Sequence, residues 1–208
     1  MKRLLSHPNL YLSEHIHQVN IAMDAILNRH QQNIQNRYLN FADIISKLAQ
    51  LHDTGKGGTA FQKYIQAPDS FRGDRLAKAH TPLSLILTLA MAIKEGWEPL
   101  VALALAQAVN GHHAGLATRG ELDARLYSDD IASVLKSQLS TLDLLELENE
   151  IGLRLSDLAL DKSPWLLAAD FIEGCWEKID TLKTTEAINY RLWVQLLFSV
   201  LLEADKAF

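Results

Sequence analysis

The sequence predicts an all-α protein, a single helical-bundle domain over residues 1–208. Apolar residues recur at three- and four-residue spacing in nearly every segment, and no convincing alternation of apolar and polar residues predicts a strand. Signals for helix ends separate these segments. Thr81-Pro82 and Ser163-Pro164 are typical helix starts, because proline is well tolerated in the first turn. Gly96 and Gly111 are typical of the positions at which helices stop.

The individual helices follow from the apolar spacing together with these signals. Ser13 is the expected N-cap of the first helix, because a serine side chain accepts a hydrogen bond from the first turn. Residues 100–109 are apolar almost all round, which predicts a central, buried helix. Residues 115–120 are expected to form a loop. The predicted helices span residues 13–28, 40–54, 59–66, 81–94, 100–109, 128–140, 141–151, 163–180 and 185 to the C-terminus.

The composition indicates a soluble protein with no membrane partner. Hydrophobic residues make up 48% of the chain and charged residues 22%, and the apolar runs are far shorter than a membrane span. The single cysteine, Cys175, cannot form an internal disulfide, which fits a reducing compartment. We therefore expect a cytoplasmic protein.

The net charge of −5 argues against a protein that binds nucleic acid by bulk electrostatics. The charge is unevenly distributed, because residues 56–78 contain two acidic side chains and five basic ones: Lys56, Lys63, Arg72, Arg75 and Lys78. A solvated face is the common reason for such a run. The alternative is a face that a phosphate chain approaches.

The dipeptide His52-Asp53 is the centre of the predicted chemistry. A neutral imidazole nitrogen beside an anionic oxygen suits a first-row metal ion. The pair ends an apolar helical segment, where the partial negative charge of a helix C-terminus favours a cation. Gly55 is expected to end that helix in the left-handed conformation. Lys56 is expected to be a mobile positive charge that could meet a phosphate, with a loop lysine or an exposed salt bridge as the equal alternative.

Adjacent helical residues point about 100° apart, so further metal ligands must come from other segments. His15 lies about 60° from the centre of the apolar stripe of the first helix, whereas His17 lies about 140° away. His15 is therefore the inward candidate, and His17, like His7 and His30, is interpreted as having no role in a site.

Three more histidines stand at helix ends. His80 directly precedes the Thr81-Pro82 helix start. His112 and His113 follow the buried helix, where a chain end can direct two adjacent imidazoles into one cavity. For His112 and His113 this position makes metal binding an equal alternative to a chance occurrence of histidine.

A further carboxylate is expected, and two are candidates. Asp205 extends the apolar row of the last helix, and a carboxylate there is costly unless it meets a cation. Asp170 shares its face with Glu173 and Glu177, which is typical of a solvent-facing stripe. The sequence favours Asp205, with Asp170 as the alternative.

With these residues assembled, the chain resembles the HD-superfamily nuclease of type I CRISPR interference, the nuclease part of the CRISPR-associated nuclease-helicase. The matching segments come in the family's order and span nearly the whole chain. They are Leu12-Ser13-Glu14-His15 with Val19, His52-Asp53-Thr54-Gly55-Lys56 through Phe61-Gln62, His80 with Ser84, Gly111-His112-His113-Ala114-Gly115, and Leu197-Phe198-Ser199 through Glu203-Ala204-Asp205-Lys206.

The resemblance implies an HD-domain fold with two metal ions and assigns their ligands. One ion would be held by His15, His52, Asp53 and Asp205, and the other by His80, His112 and His113, with Asp53 bridging. Asp53 and Lys56 are the implied catalytic residues, with Lys56 neutralising charge on the phosphate. Imidazole-rich ligation favours manganese, iron, cobalt or nickel over magnesium.

The implied activity is hydrolysis of phosphodiester bonds in single-stranded DNA during CRISPR antiviral defence. The implied partners are a helicase component and a guide-RNA surveillance complex; the chain has no Gly-x-x-x-x-Gly-Lys-Ser/Thr phosphate loop of its own. One alternative is an HD phosphohydrolase of small or cyclic nucleotides, which a closed pocket would favour. Another is an inactive helical adaptor, against which the full set of candidate ligands counts.

Overall fold

A computed structural model describes residues 3–30, 41–155, 158 and 164–207, and the fold over these ranges is almost entirely helical. The prediction of an all-α protein is confirmed. The ten α-helices of the described ranges are α1 (Leu12–His30), α2 (Phe41–Leu51), α3 (Thr59–Gln66), α4 (Thr81–Glu95), α5 (Pro99–Gly111), α6 (Arg119–Leu126), α7 (Asp129–Thr141), α8 (Leu144–Ile151), α9 (Pro164–Asp180) and α10 (Thr184–Lys206).

A short hairpin, absent from the sequence prediction, precedes α1. Its antiparallel strands are β1 (Leu5–His7) and β2 (Leu10–Tyr11). Asn9 takes a left-handed backbone conformation in the turn, with φ of 69°, which asparagine tolerates better than most residues. Strands of three and two residues are too short to show an alternating pattern, so hydrophobic periodicity could not reveal them.

Helix α5 is the centre of the bundle, as its apolar sequence predicts, because nearly all of its residues are buried. One face contributes to an apolar cluster with α4, α6 and α9, and the other to a cluster with α1, α2 and α10. Helix α5 therefore packs against helices on both of its sides. No helix in the described ranges is long and apolar enough to cross a membrane.

Most predicted helix bounds agree with the structure to within a few residues, with two clear differences. Helix α2 stops at Leu51, and a separate 3-10 turn, Thr54–Gly57, follows it. Helix α6, for which the sequence predicted no helix, begins inside the predicted 115–120 loop. Its start is a capping box, in which Thr118 and Glu121 each accept a hydrogen bond from the other's backbone N–H. The predicted helix starts at residues 40 and 163 lie outside the described residues.

Gly55 does not have the left-handed conformation predicted for it, since the glycines with positive φ in the described ranges are Gly96, Gly115 and Gly152. Its role is close approach. A Cβ at Gly55 would lie 1.9 Å from the carbonyl oxygen of His80. The Gly55 N–H also donates to Ser84 Oγ, at 2.9 Å. The absent side chain thus lets the 3-10 turn press against the N-terminus of α4.

Substituting Gly55→Ala should destabilise the fold by about 3 kcal/mol, because the new methyl group meets backbone that cannot move aside alone. Gly174→Ala in α9 is the matched control, since a Cβ there would have nothing within 4 Å. It should raise stability by up to about 1 kcal/mol, as expected for alanine in an exposed helix position. Urea unfolding measures both, and equal stability of the two variants would contradict this role of Gly55.

Candidate metal centre

Seven side chains converge from five helices, and each lies within about one turn of a helix end. His15 and Asp205 lie in the first turn of α1 and the last turn of α10; His52 and Asp53 follow α2; His80 precedes α4; His112 and His113 follow α5. The structure therefore brings together all the histidines and carboxylates that the sequence favoured for a metal site.

One group of ligand atoms surrounds the Oδ2 atom of Asp53. Nε2 of His15 lies 3.1 Å from Asp53 Oδ2 and 3.1 Å from Asp205 Oδ1. Nε2 of His52 lies 3.3 Å from Asp53 Oδ2 and 3.6 Å from Asp205 Oδ1. Two imidazoles and two carboxylates thus face a common centre.

The second group surrounds the other carboxylate oxygen, Oδ1 of Asp53. Nε2 of His80 lies 3.2 Å from this oxygen, and Nε2 of His112 lies 3.5 Å from it. Nε2 of His113 is 3.0 Å from Nε2 of His80. Within each group, the ligand atoms all lie within 4.8 Å of one another.

Asp53 is therefore shared, with one oxygen directed at each group. This geometry has the same division of ligands that the resemblance implied. Asp170, the alternative to Asp205, is exposed on α9, and His17 is exposed on α1. The side chain of His30 lies outside the described part of the structure.

Two of the imidazoles are oriented by the helices that precede them. Nδ1 of His52 donates to the carbonyl oxygen of Ala49 (2.8 Å), and Nδ1 of His112 donates to that of Val109 (2.6 Å). Carbonyls at a helix C-terminus lack intrahelical partners, so they readily accept these hydrogen bonds. With the proton fixed on Nδ1, the Nε2 lone pair points into the centre.

This arrangement fits a bound cation. Nε2 of His112 is buried and has no hydrogen-bond partner among the described residues. It faces an anionic carboxylate oxygen, and two lone pairs in such positions repel unless a cation or a proton lies between them. Imidazole nitrogens combined with carboxylate oxygens are the donors preferred by divalent transition metals.

Comparisons with known proteins decide the family. The family model for the Cas3 HD domain matches residues 5–178. The chain belongs to the Cas3 HD domain family. The matched range ends before α10, so Asp205 reaches the centre of this CRISPR-associated HD domain from outside the match.

One solved structure supports the same fold. The CRISPR-associated Cas3 HD domain protein MJ0384 from Methanocaldococcus jannaschii is similar over 97% of this chain and 100% of that chain, with a TM-score of 0.61 and 20% sequence identity. No match was found among curated proteins.

In the absence of metal, the charges of the first ligand group favour an ionised Asp53 and a protonated His52. Burial favours a neutral Asp53, but the imidazoles of His52, His112 and His15 outweigh burial and hold the pKa of this carboxyl well below its usual range. Burial also favours a neutral His52, which for an imidazole means a lower pKa, but the carboxylates of Asp53 and Asp205 raise this pKa to about 9. When no metal is bound, His52 therefore carries a second proton and a positive charge at neutral pH.

The second group has the opposite character. The pKa of His80 is lowered, chiefly by burial and further by the charge of Lys56, although its contact with Asp53 acts in the opposite direction. For His113, burial and the neighbouring imidazoles of His112 and His80 lower the pKa to about 4. Both imidazoles are neutral at pH 7, which is the state that binds metal.

The prediction of a mobile Lys56 is wrong. Lys56 is 4% exposed, and its Nζ lies 2.6 Å from Asp53 Oδ2. It also donates to Ser6 Oγ, at 3.1 Å. The lysine is held inside because the 3-10 turn places it one turn after Asp53, where the buried carboxylate attracts the ammonium group.

The hairpin supplies neighbours of the site that the sequence reasoning missed. Ser6 Oγ contacts Nδ1 of His7 at 3.1 Å, and the ring of His7 lies 4.9 Å from the ring of His15, centroid to centroid. Helical periodicity could not place His7, because it precedes the first helix. The available signal was the Pro-Asn pair that follows His7, because such a pair is typical of a turn and a turn there can bring His7 back towards His15.

Gln62 holds this hairpin against the site. Its Nε2 donates to the carbonyl oxygens of Leu5 and Lys56, both at 2.8 Å, and its Oε1 accepts from the N–H of Leu5 at 3.1 Å. The adjacent residue, Phe61, packs edge-on against His80, with ring centroids 5.4 Å apart. Gln62 thus fixes the hairpin and Lys56 beside the first ligand group, and Phe61 packs against His80 of the second.

Binding of manganese should release at least one proton at pH 7, because His52, with its pKa raised to about 9, must lose its proton to become a ligand. Because protons compete with the metal for His52 below pH 9, the apparent affinity for manganese should rise about tenfold from pH 7 to pH 8. Isothermal titration calorimetry in buffers of different ionisation enthalpy measures the release. His17→Ala should leave it unchanged, and metal uptake without proton release would contradict the assignment of His52.

Proposed function

We propose that this Cas3 HD domain is a metal-dependent nuclease that hydrolyses phosphodiester bonds of single-stranded DNA in CRISPR antiviral defence. The observation that carries the proposal is the shared carboxylate of Asp53, whose two oxygens face two separate sets of imidazoles. A bridging carboxylate between two nitrogen-rich groups is the arrangement used by two-metal phosphodiester hydrolysis. Manganese, iron, cobalt or nickel is proposed in preference to magnesium.

The chain's own residues would hold and orient the reacting groups. When bound, divalent ions would supply Lewis-acid chemistry, by activating a water and neutralising charge on the phosphate oxygens. Asp53 would contribute to both ligand sets, with His15, His52 and Asp205 completing one and His80, His112 and His113 completing the other. Ala49 and Val109 fix the tautomers of His52 and His112 through their carbonyls, so that neither ring must reorient during the reaction.

Lys56 acts through Asp53 in this proposal, not as a mobile partner of the phosphate. Its ammonium group offsets the negative charge that two carboxylates bring into a buried site. Its second contact, with Ser6 Oγ, keeps the group directed at Oδ2 of Asp53. Lys56 is therefore a positioning residue for the bridging ligand.

The exposure of the ligands supports a polymeric substrate over a small nucleotide. His113 is exposed, and the side chains of His80 and Asp205 retain 13% and 11% exposure, whereas those of His15, His52 and His112 retain none. The centre thus opens to solvent at the His113 side. A rim of this kind admits a continuous strand, while hydrolysis of a mononucleotide favours an enclosed pocket with contacts to the base.

The proposed partners follow from the family. The Cas3 HD domain family supports a CRISPR context, and we propose that a helicase component and a guide-RNA surveillance complex present the strand. A net charge of −5 supports dependence on such partners, because general electrostatic attraction for DNA is weak.

Asp53→Asn should lower manganese-dependent cleavage of single-stranded DNA by at least about 10³-fold, because it removes the charge that holds both ions. Asparagine keeps the size of aspartate and an oxygen for Lys56, so the fold should survive. Asp170→Asn, in the exposed carboxylate of α9, is the matched control and should keep full activity. Undiminished cleavage by the Asp53→Asn variant would end the nuclease proposal for this site.

A metal-by-substrate panel separates the nuclease from its alternatives. Single-stranded DNA, duplex DNA, RNA, mononucleotides and cyclic nucleotides are each tested with Mg, Mn, Fe, Co and Ni. The proposal expects single-stranded DNA to be cleaved fastest with a transition metal. Faster hydrolysis of a small or cyclic nucleotide would favour the phosphohydrolase, and no hydrolysis with any pair would favour the inactive adaptor.

A further inference from the structure

A second feature lies on the surface beside the metal centre, between α3, the segment 67–77 and α7. It is an open cavity of about 630 Å³, here called the α3 cleft. Its lining combines one aromatic ring, two basic side chains and small polar residues: Phe71, Lys63, Arg72, Ser70, Ser137 and Thr141. The metal mechanism uses none of these residues.

A row of aromatic rings connects the metal centre with the α3 cleft. The ring of Phe61 lies 5.4 Å from that of His80, a member of the second ligand group. Tyr64 follows at 6.3 Å from Phe61, and Phe71 at 5.7 Å from Tyr64, each measured between ring centroids. Phe61 is buried, whereas Tyr64 and Phe71 are half-buried, so the row runs from the centre to the surface.

Positive charge accompanies the outer end of this row. Lys78 Nζ lies 3.5 Å from the centroid of the Tyr64 ring, a cation–π contact, and Lys63 and Arg72 are exposed at the cleft. No described residue that lines the cleft is acidic. A neighbouring cavity of about 160 Å³ has the acidic residues Asp143 and Glu146 in its wall, which would repel phosphate from that side.

The cleft is held in shape by contacts that do not depend on a ligand. Gln138 is buried in α7, and its Nε2 donates to the carbonyl oxygens of Ala77 and Ala79, at 3.0 and 2.9 Å. The absent side chain of Gly73 leaves room for Phe71, since a Cβ there would lie 2.3 Å from Phe71 Cζ. Arg72 donates through Nη1 to the Asp69 and Phe71 carbonyl oxygens, at 2.9 and 3.3 Å.

We propose that the α3 cleft binds the part of a single-stranded nucleic acid that extends beyond the metal centre. A base stacks on Phe71, while Lys63 and Arg72 contact the adjoining phosphates. An aromatic platform next to basic side chains is the chemistry by which proteins bind single strands without reading their sequence. This inference rests on the proposed function, because the nuclease site defines the strand's course.

The same chemistry disfavours duplex DNA as the occupant. Bases in a duplex are already stacked on each other, and an aromatic side chain reaches them only after they unstack. The cleft also concentrates positive charge on one side of a protein with a net charge of −5. It therefore supplies the local attraction that the whole chain lacks.

The test measures strand binding without catalysis. Fluorescence anisotropy follows a labelled oligo-dT strand titrated with the full chain in EDTA. Phe71→Ala and Phe71→Leu should each weaken binding about tenfold, because both remove the stacking face and leucine keeps the apolar contact with Tyr64. The double variant Lys63→Gln, Arg72→Gln should reduce the slope of log affinity against log salt concentration by about one to two.

Matched controls lie elsewhere on the surface. Tyr127 is an aromatic residue with 58% exposure outside the cleft, and Tyr127→Ala should bind as the wild type does. Lys178→Gln with Arg191→Gln removes two exposed charges outside the cleft and should keep the larger salt slope. Unchanged affinity in both Phe71 variants would overturn the inference.

A second readout separates this inference from the proposed function. Hydrolysis of bis(4-nitrophenyl) phosphate with manganese requires only the metal centre, because the substrate has no further nucleotides. The Phe71 variants should keep this activity while losing strand affinity. If the wild type hydrolyses neither this diester nor DNA, the nuclease proposal fails, while the anisotropy result still decides whether the cleft binds a strand.

Discussion

The structure depends on one buried carboxylate placed between two sets of imidazoles. Asp53 is almost fully buried, and burial alone would favour its neutral form. The surrounding histidines keep it ionised, Lys56 forms an ion pair with it, and a second carboxylate, Asp205, lies within reach of His15 and His52. So many ionisable groups in one interior are stable only if their charges compensate one another, and a bound divalent cation would complete that compensation.

Helix ends make this concentration of charge possible. The carbonyls at the C-termini of α2 and α5 accept the Nδ1–H of His52 and His112, so the same groups end the helices and orient the rings. Because Gly55 has no side chain, the turn after Asp53 lies against the backbone of His80. This close approach brings Asp53 of the first ligand group next to His80 of the second. Gln62 then attaches the N-terminal hairpin, and with it Ser6, to Lys56.

The sequence was informative wherever position along a helix determines direction. His15 could be separated from His17 by its angle to the apolar stripe, and Asp205 from Asp170 by its place in an apolar row. It was uninformative where tertiary contacts decide. The burial of Lys56 depends on a 3-10 turn and a distant serine, and the hairpin of His7 is too short for periodicity. The aromatic row to the α3 cleft likewise joins residues from two segments.

Anomalous diffraction from a crystal containing manganese tests the shared carboxylate most directly. We expect two anomalous peaks about 4 Å apart, with Oδ1 and Oδ2 of Asp53 each within coordination distance of a different peak. His52 and Asp205 should border one peak, and His80 and His112 the other. A single peak, or two peaks that do not share Asp53, would show that this carboxylate does not connect two metal sites.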